Sequence, residues 1–233
     1  MRLFLILCWM TLPLLAWAYH VGPGQEHLAS DQANRLVREA TFKFEQQKFQ
    51  DARTLYSEAL AQLPADDIET QQAVKLAMAK AQMESGQLPE ARVSLQSIVD
   101  EMEQQKQVDP ELMKDARSTL AASQYYMTWL MRLEGLTAEE WEPEIEAARQ
   151  NYRLLTEQAE ESGDAETQER SKDLEATIRL ARMDLSELQA LKIPSQCKGC
   201  CSGQCNKPSR KQSKKKSQKK GAGSNLGPLP DGS

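Results

Sequence analysis

Apolar residues recur every three or four positions along most of the chain between residues 31 and 194. This spacing is typical of helices that bury one face, and no stretch alternates for long as a half-buried strand would. Glycine and proline are scarce in this region and stand where the pattern stops. The helix-ending residues are Pro64, Gly86, Gly135, Gly163 and Pro194. The pattern predicts an all-α fold of seven helices.

Several helix ends carry recognisable start signals. Ser30 precedes the first periodic segment and is predicted as its N-cap, and Pro89 occupies a first-turn position of a later helix. Thr137 and Glu140 have the spacing of a capping box. The final periodic segment, residues 164–194, is predicted as one uninterrupted helix ending before Pro194.

The segment from Tyr125 to Leu133 has large apolar side chains on almost every side of its helix. A helix that is apolar all round is normally surrounded by others, so this one is predicted to be the central, most buried helix. Arg132 lies within it and is predicted to be a paired charge at the edge of the core, near Glu134 and later glutamates.

Short connections between successive helices predict hairpins, and the hairpins carry a repeated pattern. Ala52, Tyr56, Ala59 and Pro64 resemble the second half of a tetratricopeptide repeat, with Leu36 and Ala40 at the matching places of the preceding helix. A second copy has Ala79, Gly86, Leu88, Ala91, Leu95 and Ile98, and a weaker third has Ala148, Tyr152 and Leu155. The shared alanines are spaced 39 and then 57 residues apart, against a regular period of about 34. The resemblance implies antiparallel hairpins stacked as a short solenoid over residues 31–194, although divergent helical hairpins of unrelated origin remain an alternative.

The resemblance also implies a binding surface. In this family the first helix of each hairpin lines the concave face that holds a protein or peptide. The candidate groove residues there are Asn34, Thr41, Glu45, Lys80 and Glu84. The family's clamp for a peptide carboxylate is not expected, because Val37 and Thr41 stand where its first lysine and asparagine would be.

The N-terminal segment predicts export. Arg2 is followed by an apolar run that ends in Ala16-Trp17-Ala18, the small-residue pattern of a cleaved signal peptide. We therefore expect residues 1–18 to be removed after Ala18 and residues 19–30 to lead into the helices, in a periplasmic or secreted protein. The alternative is an uncleaved anchor, but the run is short for a spanning helix, which needs about 20 apolar residues.

Charge separates the body from the tail. Residues 19–194 have a formal charge of −14, whereas residues 195–233 carry nine basic residues and one acidic residue, a charge of +8. The tail's Gly- and Pro-rich end predicts disorder. Its lysines are not interleaved with aromatic residues, so we expect no specific nucleic-acid binding but contact with an anionic envelope polymer or membrane surface. The candidate polyanion contacts are Lys214, Lys215, Lys216, Lys219 and Lys220.

The tail also begins with a cysteine cluster of spacing CxxCCxxxC. Its members are Cys197, Cys200, Cys201 and Cys205. In an oxidising compartment four cysteines allow two disulfides in three connectivities. Four thiolates would also suffice for zinc or another soft metal, although the usual zinc pattern separates two pairs by a longer loop. Disulfides, a metal site and no specific role stay open, and no cofactor is otherwise expected.

Catalysis has little support in the sequence. The chain has two histidines, His20 and His27, and no HExxH, GxSxG or glycine-rich phosphate motif. We therefore predict a non-enzymatic scaffold that binds a protein or peptide, with the basic tail as a tether. One alternative is a metal- or redox-handling protein whose active part is the cysteine cluster, and another is an envelope structural protein that the tail holds to an anionic polymer.

Overall fold

The computed structural model describes Trp9, Thr11 and residues 23–163 and 165–197. The described ranges contain eight α-helices, one 3-10 turn and no strand, which confirms the predicted all-α fold. The helices are α1 (Pro23–Glu45), α2 (Phe49–Leu60), α3 (Ile68–Glu84), α4 (Leu88–Glu103), α5 (Pro110–Leu133), α6 (Ala138–Ser162), α7 (Thr167–Arg182) and α8 (Leu185–Ala190), and the 3-10 turn spans Ser195–Cys197. Among the described residues, no helix is both long and apolar enough to cross a membrane.

The chain forms two compact units, Met1–Met78 and Ala79–Ser233. The first contains α1, α2 and the start of α3. The second contains the end of α3 and the helices from α4 to α8.

Alanine dominates the contact between α1 and α2 in the first unit. Ala33 and Ala40 on α1 and Ala52 and Ala59 on α2 are all completely buried, and the two helices pack directly against each other. Small side chains permit this close approach because they leave the backbone ridges room to meet. The predicted small-residue face of this hairpin is therefore the face that the fold buries.

The turn between α1 and α2 places a glutamine in an unfavourable conformation. Gln47 has a φ of 62°, in the left-handed region that suits glycine. The amide of Lys48 donates to the carbonyl of Lys43 at 2.9 Å and that of Gln47 to the carbonyl of Phe44 at 2.8 Å. These bonds use carbonyl groups that the end of α1 would otherwise leave unpaired.

Helix α5 is the central element of the second unit, as predicted. It packs against α4, α6, α8 and the 3-10 turn, and it is buried from Ser118 to Tyr126 and from Thr128 to Leu130. Burial raises the pKa of Tyr125 to about 12. The apolar belt seen in the sequence thus reflects contacts on several sides of one helix.

Most predicted helix ends are confirmed. Pro89 lies in the first turn of α4, and the Asp109 side chain at the start of α5 accepts a hydrogen bond from the amide of Glu111. Thr137 and Glu140 form both bonds of the capping box on α6, and Gly163 ends that helix with a φ of 66°. These signals act locally, which explains why they are readable in the sequence.

Two predicted boundaries are wrong. Helix α1 begins at Pro23, so Ser30 is inside it and is not an N-cap; proline suits a first helical turn, where no amide donor is needed. The last predicted helix is broken into α7 and α8, because Met183 is extended with a ψ of 141°. Asp184 then starts α8 with a capping box to Glu187.

Arg132 contacts the break between α7 and α8, so its predicted pairing with a glutamate is wrong. Its side chain is buried, and its guanidinium donates to the backbone carbonyl oxygens of Leu180 and Met183 rather than to a glutamate. It also lies 4.7 Å from the ring centre of Trp141, within cation–π range. Burial lowers the pKa of Arg132, while the charge of Asp184 opposes that shift.

Candidate peptide-binding surface

The last two turns of α3 present two of the predicted groove residues on one side. Lys80 and Glu84 are four positions apart, so their side chains are neighbours on the helix surface. The Lys80 ammonium contacts both carboxylate oxygens of Asp115 on α5, at 2.7 and 2.6 Å. Both side chains keep partial solvent exposure, 32% for Lys80 and 45% for Asp115. The pair therefore connects α3 to α5 at a surface that water reaches.

Glu84 meets a different part of the chain. The side-chain amide of Gln196 donates to its carboxylate at 2.8 Å. Burial raises the pKa of the Glu84 carboxyl group, and the hydrogen bond from Gln196 acts in the opposite direction. The 3-10 turn that contains Gln196 thus rests on the end of α3.

The next residue anchors the same turn in α5. Cys197 is completely buried, and its thiol lies 3.5 Å from the carbonyl oxygen of Tyr126 as a weak hydrogen-bond donor. The structure therefore places the first of the four tail cysteines in the packed interior. The other three, Cys200, Cys201 and Cys205, lie outside the described residues.

The three remaining groove candidates lie on α1 in the first unit, and all three are exposed. The hydroxyl of Thr41 donates to the carbonyl of Val37 at 2.9 Å and lies 3.1 Å from the hydroxyl of Tyr56. Burial raises the pKa of Tyr56, with a smaller contribution from the charge of Glu45. Asn34 is on the same helix.

A shallow cleft of about 630 Å³ opens at the start of α6. It combines apolar and acidic side chains, namely Trp141, Pro143, Ile145, Glu139, Glu142 and Glu146. One contact of Trp141 is already made by the Arg132 guanidinium. None of these residues was predicted as a site.

The tail lysines lie outside the described residues: Lys214, Lys215, Lys216, Lys219 and Lys220. Within the ranges that the structure describes, no group of three histidine, cysteine or acidic side chains is arranged to hold a metal ion.

The sequence analysis named Lys80 and Glu84 as groove candidates but did not predict their contact partners. Asp115 is 35 positions from Lys80, and Gln196 is 112 positions from Glu84. No local spacing connects residues so far apart. Only the packing of the second unit brings them together.

Residues 43–122 match the tetratricopeptide repeat family. No curated protein and no solved structure matches the chain. The matched segment runs from the end of α1 into α5 and includes Lys80, Glu84 and Asp115. Tetratricopeptide repeats generally bind other proteins or peptides and are typically non-catalytic. The segment from residue 43 to residue 122 is therefore similar to tetratricopeptide repeats, which serve as protein-interaction scaffolds.

Proposed function

We propose that this protein is an exported, non-enzymatic scaffold that binds a protein or peptide segment through its tetratricopeptide-like helices. The observation that carries the proposal is the match over residues 43–122. The N-terminal signal-like segment supports export, with cleavage after Ala18 into a periplasm or the exterior.

The surface formed by Lys80, Asp115 and Glu84 supports peptide binding of a particular kind. Lys80 and Asp115 form an ion pair there, and Glu84, one helical turn farther along α3, supplies a second carboxylate beside the turn that contains Gln196. Such a surface suits a segment that presents an acceptor to the Lys80 ammonium and a hydrogen-bond donor to the Glu84 carboxylate, since an ammonium donates and a carboxylate accepts. A small apolar side chain on the segment would match the group that Cys197 buries against α5.

The basic tail is proposed as a tether. Nine basic residues against one acidic residue in residues 195–233 favour an anionic envelope polymer or membrane surface. This attraction rests on charge, so it should fall as salt is raised. Release of the full chain from anionic vesicles by 0.5 M salt would support the tether, and equal binding to neutral vesicles would count against it.

The peptide-binding proposal is tested by selecting a displayed library of 15-residue peptides on the immobilised full chain. We expect enriched peptides to bind the purified protein in titration calorimetry, and Lys80→Ala to weaken that binding by about tenfold, the loss expected for a charged hydrogen bond. Lys172→Ala is the matched control, because Lys172 is exposed on α7. A library without enrichment, or equal losses for both variants, would overturn the proposal.

A metal- or redox-handling role for the cysteine cluster is the alternative. Its test is metal content after purification under reducing conditions, compared with a variant in which Cys197, Cys200, Cys201 and Cys205 are serine. Stoichiometric metal held only by the unmodified chain would favour the alternative over the scaffold.

A further inference from the structure

The 3-10 turn Ser195–Cys197 contacts Glu84, one of the residues to which the proposed function assigns peptide binding. We propose that this turn is a built-in occupant of the Lys80–Glu84 surface, which must leave before an outside segment can bind. We call residues 195–197 the strap. The competition between the strap and an outside segment rests on the proposed function. The docking of the strap can be measured without any partner.

The described contacts of the strap are of the kinds that a bound peptide would make. The Gln196 amide donates to the Glu84 carboxylate at 2.8 Å. The Cys197 side chain is fully buried against α5, as a small apolar anchor would be. Its thiol faces the carbonyl of Tyr126 at 3.5 Å, inside a stretch of α5 that is buried throughout.

The chain leading to the strap is fastened upstream. Leu188 on α8 is completely buried, and α8 packs against α5. Arg132 holds the carbonyls of Leu180 and Met183 just before α8. The strap is thus tethered beside its surface, which gives it a high effective concentration there. An outside segment has to compete with this tethered turn.

The strap is a single three-residue turn outside the α-helices, so it can detach while the helices stay folded. Within the strap, Ser195 is exposed, and the described contacts to other elements come from Gln196 and Cys197. Short segments outside the helical core open at a lower free energy than the core itself. A partner segment with an amide donor in place of Gln196 and a small apolar side chain in place of Cys197 could make the same contacts.

Docking is tested by the reactivity of the Cys197 thiol in the full chain. Cys8, Cys200, Cys201 and Cys205 are replaced by serine, so that Cys197 is the only thiol, and labelling by a maleimide is timed under native and denaturing conditions. We expect native labelling to be at least about tenfold slower than denatured labelling, because the thiol reacts only after local opening. Equal rates would overturn the proposal.

Substitutions then ask whether the Glu84 bond holds the strap. Gln196→Ala and Glu84→Ala should each speed native labelling by about threefold to tenfold, since each removes one hydrogen bond to a charged group. Glu84→Gln keeps an acceptor oxygen and should label close to the unsubstituted rate. Gln189→Ala is the matched control, because Gln189 is exposed on α8. If Gln196→Ala labels as slowly as the control, the strap is not held by this surface.

Competition is measured with a peptide enriched by the library. Gln196→Ala should bind that peptide about threefold to tenfold more tightly than the unsubstituted chain, and saturating peptide should speed Cys197 labelling. Protection of Cys197 without any change in peptide affinity would refute competition while leaving the scaffold standing. Protection with no peptide bound by any variant would refute the scaffold while leaving the docked strap.

Discussion

The α1–α2 hairpin and the core around α5 both bury contacts between helices, but with different kinds of side chain. Among the hairpin side chains whose burial is described, the buried ones are alanines and Tyr56. The core around α5 buries polar side chains on several helices, including Thr156 on α6. They include Ser118, Ser123, Gln124, Thr128 and Arg132 on α5 and Arg170, Asp173 and Thr177 on α7.

The difference lies in what fixes the position of each helix. In the hairpin, side-chain volume fixes the helix separation at the buried alanines, because a larger side chain at those positions would push the backbones apart. In the core, Ser123, Thr128 and Thr177 bond carbonyl groups of their own helices. The two arginines reach across between helices, Arg132 to the end of α7 and Arg170 to the Ser118 hydroxyl at 2.6 Å. Donor–acceptor matching therefore adds specificity that a purely small-residue contact lacks.

The largest effect should come from removing a cross-helix donor. Arg132→Met leaves the carbonyls of Leu180 and Met183 without this donor, and the free energy of unfolding should fall by about 3 kcal/mol, since each buried group without a partner costs about 1–3 kcal/mol. Urea unfolding followed by circular dichroism measures it. Arg182→Met, at an exposed position of α7, should change little. Equal losses in the two variants would show that the carbonyl contacts are not what matters.

The α1–α2 hairpin should be destabilised by a larger side chain at one of its buried alanines. Ala52→Leu adds three carbon atoms at a completely buried contact, and we expect a loss of about 2 kcal/mol from overpacking. The control Ala73→Leu makes the same change at an exposed position of α3. A tolerated leucine at position 52 would mean that close approach does not define this hairpin.

The turn of the hairpin should accept an improvement. Gln47→Gly relieves the left-handed strain at φ 62° and should raise the free energy of unfolding by about 1 kcal/mol. Gln46→Gly is the neighbouring control and should be neutral or destabilising, because Gln46 does not have a positive φ. Thermal melts should show a higher Tm for Gln47→Gly and an unchanged or lower Tm for Gln46→Gly.

The smallest effect concerns Glu84 and depends on pH. Its pKa is raised in the folded chain, so the folded state binds this proton more tightly than the unfolded state, and stability falls as pH rises from the usual 4.5 through the raised pKa. The glutamine of Glu84→Gln does not titrate. The free energy of unfolding of this variant, relative to that of the unsubstituted chain, should therefore increase as pH rises from 4.5 through the raised pKa. Lys80, Asp115 and Cys197 are unchanged in the comparison. Parallel pH curves for the two proteins would contradict the burial of this carboxyl group.

What could be predicted from the sequence was local or repeated. The capping box of Thr137 and Glu140 and the alanines of the hairpin depend on neighbours within one helix or one helix pair, so their spacing is visible. The break at Met183 had a local signal as well, since Asp184 and Glu187 have capping-box spacing inside an otherwise continuous pattern. That signal competed with the apolar periodicity on both sides of it.

Other features had no local signal. Gln47 stands 39 positions before Gly86, the same offset as Ala52 and Ala91, and both residues adopt a positive φ. A glycine in a sequence predicts a positive φ at a turn, whereas a glutamine does not. The candidates Lys80 and Glu84 came from the repeat, but their partners Asp115 and Gln196 depend on how distant segments meet. The described structure assigns those contacts; the sequence pattern does not contain them.

The strap also sets an order of events during synthesis. Cys197 lies 71 positions after Tyr126, and Gln196 lies 112 positions after Glu84, so the ribosome completes all eight described helices before it makes the residues that cover this part of α5. Until then, the nascent chain carries an open apolar site on its central helix, at the stage when exposed apolar surface most readily recruits other chains. A chain stalled before residue 195 would keep that site uncovered. Among the described contacts of α5, those of the strap are therefore made last.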